Sequence, residues 1–589
     1  MRQAFALIMC AACAAVLSAQ ATAPFNDSIR VADLKADLYF LAGDGFKGRL
    51  VGTPENALAA EFVRSRFERA GLKPGAPNGS FIQTTHLMVA TLGARNTLAV
   101  SLPGGPKLEL QPEQDFYPQR FSASASVTAP VVYAGFGIHA PTLGYDDYGD
   151  RVAGRIALIL EHEPGERDPK SPFDGVVTAE AAVAIKKALA AQDKGAVGVL
   201  FVTDVHNHPA PANFEASARA FWPAQAPRID RFTLASWADR VRIPVGQISP
   251  ALAEQMVRGT GRSWLELSKA AETERGYAGL PLEGVTATLA TSVNRHVVPD
   301  RNVLAFVEGA DPKLKDEVVI VSAHYDHEGA DGAVIFNGAD DDGSGTVALI
   351  DIADAYAMAA AAGQRPRRSV LFACWGSEER GPLLGAWAYT ESPTFPLART
   401  VAVLNMDMIG RNEEVQVGGG PRFNGLEIQT AESNRNAVNI LGYSRHPELS
   451  AIVERANRSA VGIGLELKLR YDNNSSNLLR RSDQWPFLQT GVPALWFHSG
   501  LHPDYHTQYD RPEKINYEKM ERIARLVHQA SWVIANQDGR PKESGIREGK
   551  PRSRPTLPGT TSGASPARPA RVRRVAIPIA GRASGTTIW

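Results

Sequence analysis

Hydrophobic positions fall into two textures along the chain. From Val297 onward, unbroken apolar runs alternate with helical segments: "EVVIVSAHYDH", "GTVALIDIADAYAMAAAA", "SVLFACWGSEE", "TVAVLNMDMIG", "GVPALWFHSG" and "YEKMERIARLVHQASWVIA". Runs without polar interruption suit strands buried on both faces, and helices between them supply the crossovers. The pattern predicts an α/β fold with a mostly parallel mixed sheet sandwiched by helices. Between residues 127 and 281 the runs are shorter, as in "APVVYAGFGI", "GRIALILEHEP" and "GAVGVLFVTD", with one helix in "AAVAIKKALAAQDKG". This stretch reads as a small inserted β-rich domain. Its "GFGIHA" is a lone glycine pair without a dinucleotide-binding context. Ahead of it, two helices flank a Gly-rich loop, and the second runs from Glu55 to Ala70 and stops at Gly71. The α/β domain is therefore expected in two parts, 24–126 and 282–538, around the insert.

Both ends differ from this body. "MRQAFALIMCAACAAVLSAQATA" opens with Arg2, continues through an apolar stretch from Ala4 to Leu17, and ends in small residues around Ala19, Ala21 and Ala23. Residues 1–23 are expected to be a secretory signal, their apolar part being too short to span a bilayer. No other stretch reads as transmembrane, so the expected location is periplasmic or secreted. Loss of the signal removes Cys10 and Cys13 and leaves Cys374, inside "SVLFACWG", as a core thiol with no disulfide partner. Residues 539–589, rich in Pro, Gly, Ser and Arg, hold too little apolar surface to fold alone and are expected to be disordered.

Charge changes little. Lysine plus arginine and aspartate plus glutamate each number 63 in the 589 residues, which removes any electrostatic reason to expect a nucleic acid partner.

Candidate chemistry gathers where the apolar runs end. His324 and Asp326 follow "VVIVSA", Glu378 and Glu379 follow "VLFACWGS", Asp407 follows "VAVLNM", and Tyr505 and His506 lie a short loop beyond "VPALWFHSG". Carboxyl ends of strands are where open α/β sheets collect ligand chemistry. Asp340, Asp341 and Asp342 stand side by side in "GADDDGSG", a crowding that a cation would relieve. Imidazole with carboxylate suits zinc, and two zinc ions balance three carboxylates and a shared hydroxide, whereas one would leave acids in excess. Asp342 and Ser344 also stand where they could cap a helix starting near Gly345.

The stretches "HYDH", "GADDDGSG", "GSEERG", "NMDMIGR" and "DYHT", in this order, resemble the co-catalytic zinc aminopeptidases, a family that includes the glutamate carboxypeptidases. The resemblance covers roughly residues 30–125 and 285–535. "GRIALIL", "KGAVGVLFV" and "IPVGQIS" resemble a protease-associated domain. The resemblance implies the zinc-exopeptidase fold and two zinc ions per chain. It places His324 and Asp407 on one ion, Glu379 and His506 on the other, and Asp341 between them. It further implies a cis peptide bond before Asp342, Asp326 orienting His324, Glu378 as general base and Tyr505 as donor to the oxyanion. "EERGPLLG", with Pro382 added, departs from the usual motif.

The expected activity is that of an exported exopeptidase acting on peptides with a free N-terminus. "RSDQ", with Arg481 and Asp483, resembles the aminopeptidase form of a substrate loop in which backbone helps to bind the amine. A carboxypeptidase would instead use Arg411 and the pair Arg480–Arg481. A glutaminyl cyclase and an inactive binding module are the remaining alternatives.

Overall fold

The computed structural model describes residues 22–209, 213–273, 279–379, 382–460 and 462–542. The expected signal lies outside the described residues apart from its last two positions, and the expected tail lies outside them from residue 543.

Three strands whose every residue is buried, Ser369–Trp375, Val318–His324 and Thr400–Met406, lie next to one another, all parallel, followed by Ala494–His498, also parallel. Burying each Val, Leu or Phe is worth roughly 1.5–3 kcal/mol, so all-apolar runs belong at the centre of a sheet. The half-exposed Glu466–Leu469 forms one edge. The parallel block is flanked by antiparallel partners, Val293–Val307 on one side and Ala437–Leu441 on the other, giving a mixed sheet of ten strands.

Side chains alternate between two cores. Val319, Val321, Phe372 and Cys374 pack with helices Val31–Leu41, Pro54–Arg69, Gly345–Ala361 and Tyr517–Asn536. Ile320, Leu371 and Trp375 pack on the opposite face with Leu384–Glu391, Gln484–Gln489 and side chains of the second domain. Cys374 is fully buried, and burial pushes its thiol up to about 12, as expected of a core residue.

The second domain is an eight-stranded sheet in the order Lys107–Leu110, Thr97–Ser101, Leu280–Thr291, Ala125–Tyr133, Ile156–Leu160, Gly198–Val202, Val245–Ile248 and Phe116–Pro118. Residues 97–118 thus pair here, although the sequence pattern assigned them to the first part of the α/β domain. Conversely, Phe232–Leu234, inside the expected insert, pairs with Ile82–Leu92 in the large sheet. Strands of three to five residues carry too little periodicity to show which sheet they join. At the other end, Gly539–Lys542 are ordered against the body: Arg540 bonds Glu317 and the Ala398 carbonyl.

Among the described residues, no helix is long and apolar enough to cross a membrane.

Candidate metal centre

The buried strand Val318–His324 delivers His324 to the carboxyl edge of the sheet, and the strands ending at Trp375 and Met406 deliver Glu378, Glu379 and Asp407 beside it. His324 Nε2 lies 3.5 Å from Asp341 Oδ1 and 3.8 Å from both Asp407 Oδ1 and Glu378 Oε2. His506, on the loop after the strand Ala494–His498, puts Nε2 2.9 Å from Asp341 Oδ2 and 3.2 Å from Glu379 Oε2. The two oxygens of Asp341 therefore face different histidines.

Asp341 is joined to Asp342 by a cis peptide bond. Its neighbours do other work. Asp340 accepts backbone N–H groups of Gly410 at 2.6 Å and Arg411 at 3.1 Å, and its second oxygen faces His502. Asp342 accepts from Gly345 N at 2.8 Å, Met408 N at 3.1 Å and His324 N at 3.2 Å, so it caps the helix and ties two strand ends together. Ser344, the other capping candidate, makes no cap; its hydroxyl donates to the Asp340 carbonyl at 2.8 Å.

Asp326 serves two elements. Its Oδ1 lies 3.5 Å from His324 Nδ1, and its carboxylate accepts the backbone N–H of Glu378 at 3.0 Å and of Glu379 at 3.2 Å.

Electrostatics separates the two glutamates. Burial pushes Glu378 well above the usual carboxylate range, and Asp407, Glu379 and Asp483 add to this. Burial and Asp341 act in the same sense on Glu379, yet His506 and His327 hold it below its ordinary value. For Asp341, burial is overcome by His324 and His506, which hold it well below the usual range.

Three partners escaped the sequence reading. His327 Nδ1 lies 2.8 Å from Glu379 Oε1, and Glu328 Oε1 lies 2.9 Å from His506 Nδ1. Arg228, from the segment between the two domains' strands, donates to the Glu328 carbonyl at 2.6 Å and pairs with its carboxylate at 3.3 Å. Both "His327" and "Glu328" stand in the quoted motif neighbourhood "HYDHEG", where a second histidine was the available signal. Arg49 carried no signal: fully buried, it donates to the carbonyls of Tyr325, Asn337 and Gly338 at 2.7–2.8 Å.

The Tyr505 ring lies against His506, with centroids 3.8 Å apart and planes tilted by 33°, and its hydroxyl accepts from Arg481 at 3.1 Å. Burial pushes that hydroxyl up to about 12, which keeps it a donor at neutral pH. Asp483 is fully buried, and neither of its carboxylate oxygens has a hydrogen-bond partner among the described residues; burial raises it well above the usual range, with Asp326 and Asp407 adding. Arg411 is paired with Asp504 at 2.8 Å and Arg480 with Glu180 at 3.4 Å.

The residues fit a metal. Both His324 ring nitrogens, His327 Nε2 and Asp407 Oδ1 are buried without a hydrogen-bond partner, and an isolated buried polar group is costly. His324, Asp341 and Asp407 form one set with donor atoms within 4.8 Å of one another, and His327, Asp341 and Glu379 form another that shares Asp341. Glu328, Glu379 and His506 form a third, overlapping set. Histidine and carboxylate without cysteine is a zinc ligand set.

Comparison with known proteins agrees with this chemistry. Residues 302–531 match the model of peptidase family M28, and residues 127–255 match the PA domain. Residues 302–531 thus form an M28-like domain. The probable glutamate carboxypeptidase VP8 of Zea mays is 25% identical over 509 residues, covering 81% of this chain and 62% of that protein. Aminopeptidase YwaD of Bacillus subtilis is 26% identical over 234 residues, covering 38% of this chain and 43% of that protein. The chain thus spans less than two thirds of the length of either relative. Among solved structures, the aminopeptidase from Aneurinibacillus sp. strain AM-1 aligns with a TM-score of 0.44 at 19% identity, covering 89% of this chain and 98% of that one. The M28 match takes in every candidate ligand from His324 to His506, and the PA match takes in four of the eight strands of the second sheet.

Proposed function

We propose that this protein is an exported zinc aminopeptidase that removes N-terminal residues from peptides using two zinc ions. The observation that carries the reading is the placement of Asp341, with Oδ1 toward His324 and Oδ2 toward His506. His324 and Asp407 would hold one ion, Glu379 and His506 the other, and Asp341 both. His327 and Glu328 keep Glu379 and His506 in place. Zinc would supply a polarised scissile carbonyl and water of lowered pKa.

The chain's own groups do the rest. Glu378 takes a proton from the attacking water and returns it to the leaving amine, general acid–base work typically worth ~10²–10⁴-fold. Tyr505 donates a hydrogen bond to the developing oxyanion, and Arg481 fixes the Tyr505 ring beside His506. Asp326 holds His324 in orientation and, through two backbone N–H groups, sets the base and its neighbouring ligand together.

One observation favours a second reading. Arg481 is a cation next to Tyr505 whose partner is neutral, so it could receive a substrate carboxylate, as a carboxypeptidase requires. The other two candidate cations are taken by Asp504 and Glu180, which leaves that pocket poorer than the sequence suggested. A panel of free-amine, N-acetylated and C-terminally blocked peptides decides. Cleavage confined to free amines is expected. Equal rates on N-acetylated peptides overturn the aminopeptidase reading, and loss of activity only on C-terminal blocking establishes the carboxypeptidase. Export rests on residues 1–23 and is tested by N-terminal sequencing of protein recovered outside the cytoplasm.

A further inference from the structure

A second cluster of metal-binding side chains lies in the PA domain, and the proposed peptide hydrolysis uses none of it. His162 follows the strand Ile156–Leu160, Glu166 stands four residues later, and His208 lies on the loop after the neighbouring strand Gly198–Val202. Glu166 Oε2 lies 3.3 Å from His162 Nδ1 and Glu166 Oε1 lies 2.9 Å from His208 Nε2. One donor atom from each residue lies within 4.8 Å of the other two.

Both loops are tied down behind these three side chains. Asp204, fully buried, accepts from His206 N at 3.0 Å and from Asn207 Nδ2 at 2.8 Å, while its carbonyl accepts from His208 N at 3.0 Å. That closes the turn presenting His208. Glu272 joins the two loops, accepting from Gly165 N at 2.7 Å and from Asn207 Nδ2. Metal-binding side chains are commonly held in this way by carboxylates behind them.

The cluster is poorly explained as an ion pair. The imidazoles stack with centroids 4.2 Å apart and 24° between planes, so charging both sets two cations against each other. The nearest rival cation is the exposed Arg167, with Nε 3.7 Å from Glu166 Oε1, a contact that water screens.

We propose that His162, Glu166 and His208 form a separate site for a divalent transition ion, zinc in the first place, on the PA domain. Two imidazoles and a carboxylate make a three-ligand zinc set that leaves one position for water. The ion clamps the base of the loop 163–180. The far end of that loop is anchored to the M28 domain, with Val176 N and Thr178 N donating to Asn473 and Asn477 at 2.9 and 2.8 Å.

Diffraction from zinc-equilibrated crystals of the full chain, on both sides of the zinc edge, tests this directly. An anomalous peak between His162, Glu166 and His208 is expected, and its absence overturns the site. In solution, His208→Ala and Glu166→Gln should each bind about one zinc fewer than the parent chain after dialysis against buffered zinc, with aminoacyl hydrolysis retained. Zinc content equal to that of the parent in both variants overturns the proposal. Because the crystallographic arm uses the unaltered chain, a variant that folds poorly does not decide the outcome.

Discussion

Nδ1 of His506 lies 2.9 Å from Oε1 of Glu328, on the side of the ring opposite the nitrogen that faces Asp341. A carboxylate on the far nitrogen fixes both tautomer and ring plane, and removing such a partner typically costs 10–100-fold in metal affinity or activity. Glu328→Gln keeps the size but loses the charge. It should lower zinc affinity or kcat/KM by about 10-fold, with Glu328→Ala worse. Zinc titration of the apoprotein beside kcat/KM checks this, and parental values in both variants would remove Glu328 from any positioning role.

Asp341→Asn weakens the one side chain facing both histidines and should lower zinc occupancy at both sites. Asp340, whose carboxylate is spent on Gly410, Arg411 and His502, is a structural acid: Asp340→Asn should reduce thermal stability with zinc stoichiometry nearly kept. Elemental analysis and a melting curve for each variant separate the two. Full zinc in the Asp341 variant would show that another aspartate bridges.

Adjacent glutamates should fail differently. Glu378→Gln should keep its zinc and KM while kcat falls by ~10²–10⁴-fold, or roughly 3–5 kcal/mol of barrier. Glu379→Gln should lose zinc from one site and regain part of its activity in excess metal. The reverse pattern would exchange base and ligand.

His528 gives the acid-stability prediction. It is fully buried, its Nδ1 is 2.8 Å from Asn26 Oδ1, and burial lowers it to about 3. The unfolded chain takes up a proton near the ordinary value of about 6.5, whereas the folded chain does not until far lower pH. Stability from this group is full above about pH 6.5 and is lost as pH falls toward 3. Thermal melts of the parent chain and His528→Gln across that range should converge as pH falls. A constant gap would mean that His528 does not titrate with unfolding.

The tail offers a sharper boundary than its composition did. Truncation after Lys542 should leave melting temperature unchanged, whereas truncation after Gly539 removes the Arg540 contacts with Glu317 and Ala398. That exposed pairing is worth on the order of 1 kcal/mol or less, so a shift of a few degrees at most is expected by calorimetry.

Much of the centre was legible because strand ends are. An all-apolar run followed by His, Asp or Glu announces both a central strand and what it delivers, as in "VVIVSAHYDH" and "VLFACWGSEE". Asp340 and Asp342 were harder, since three identical neighbours differ only in which backbone N–H groups surround them. Arg228 and Arg49 left no trace: a lone arginine in a loop looks solvated, although the fold closes over Arg49 and brings the exposed Arg228 onto Glu328. The short strands 97–118 and 232–234 crossed the expected domain boundary for a similar reason, because pairing across sheets is decided by distant residues.

Arg49 also bears on how the molecule comes into being. Besides the nearby Leu41 carbonyl, three of its four carbonyl partners lie 276 to 289 residues downstream, beyond the entire PA domain. During synthesis the first part of the α/β domain must therefore leave the ribosome, and the second sheet follow, before the loop carrying Asp341 exists to close over that guanidinium. Contacts so distant along the chain form late and slow folding. A nascent chain interrupted before residue 338 would hold the strands of the second sheet beside an unfinished half-domain, with Arg49 still in water and the centre around Asp341 not yet built.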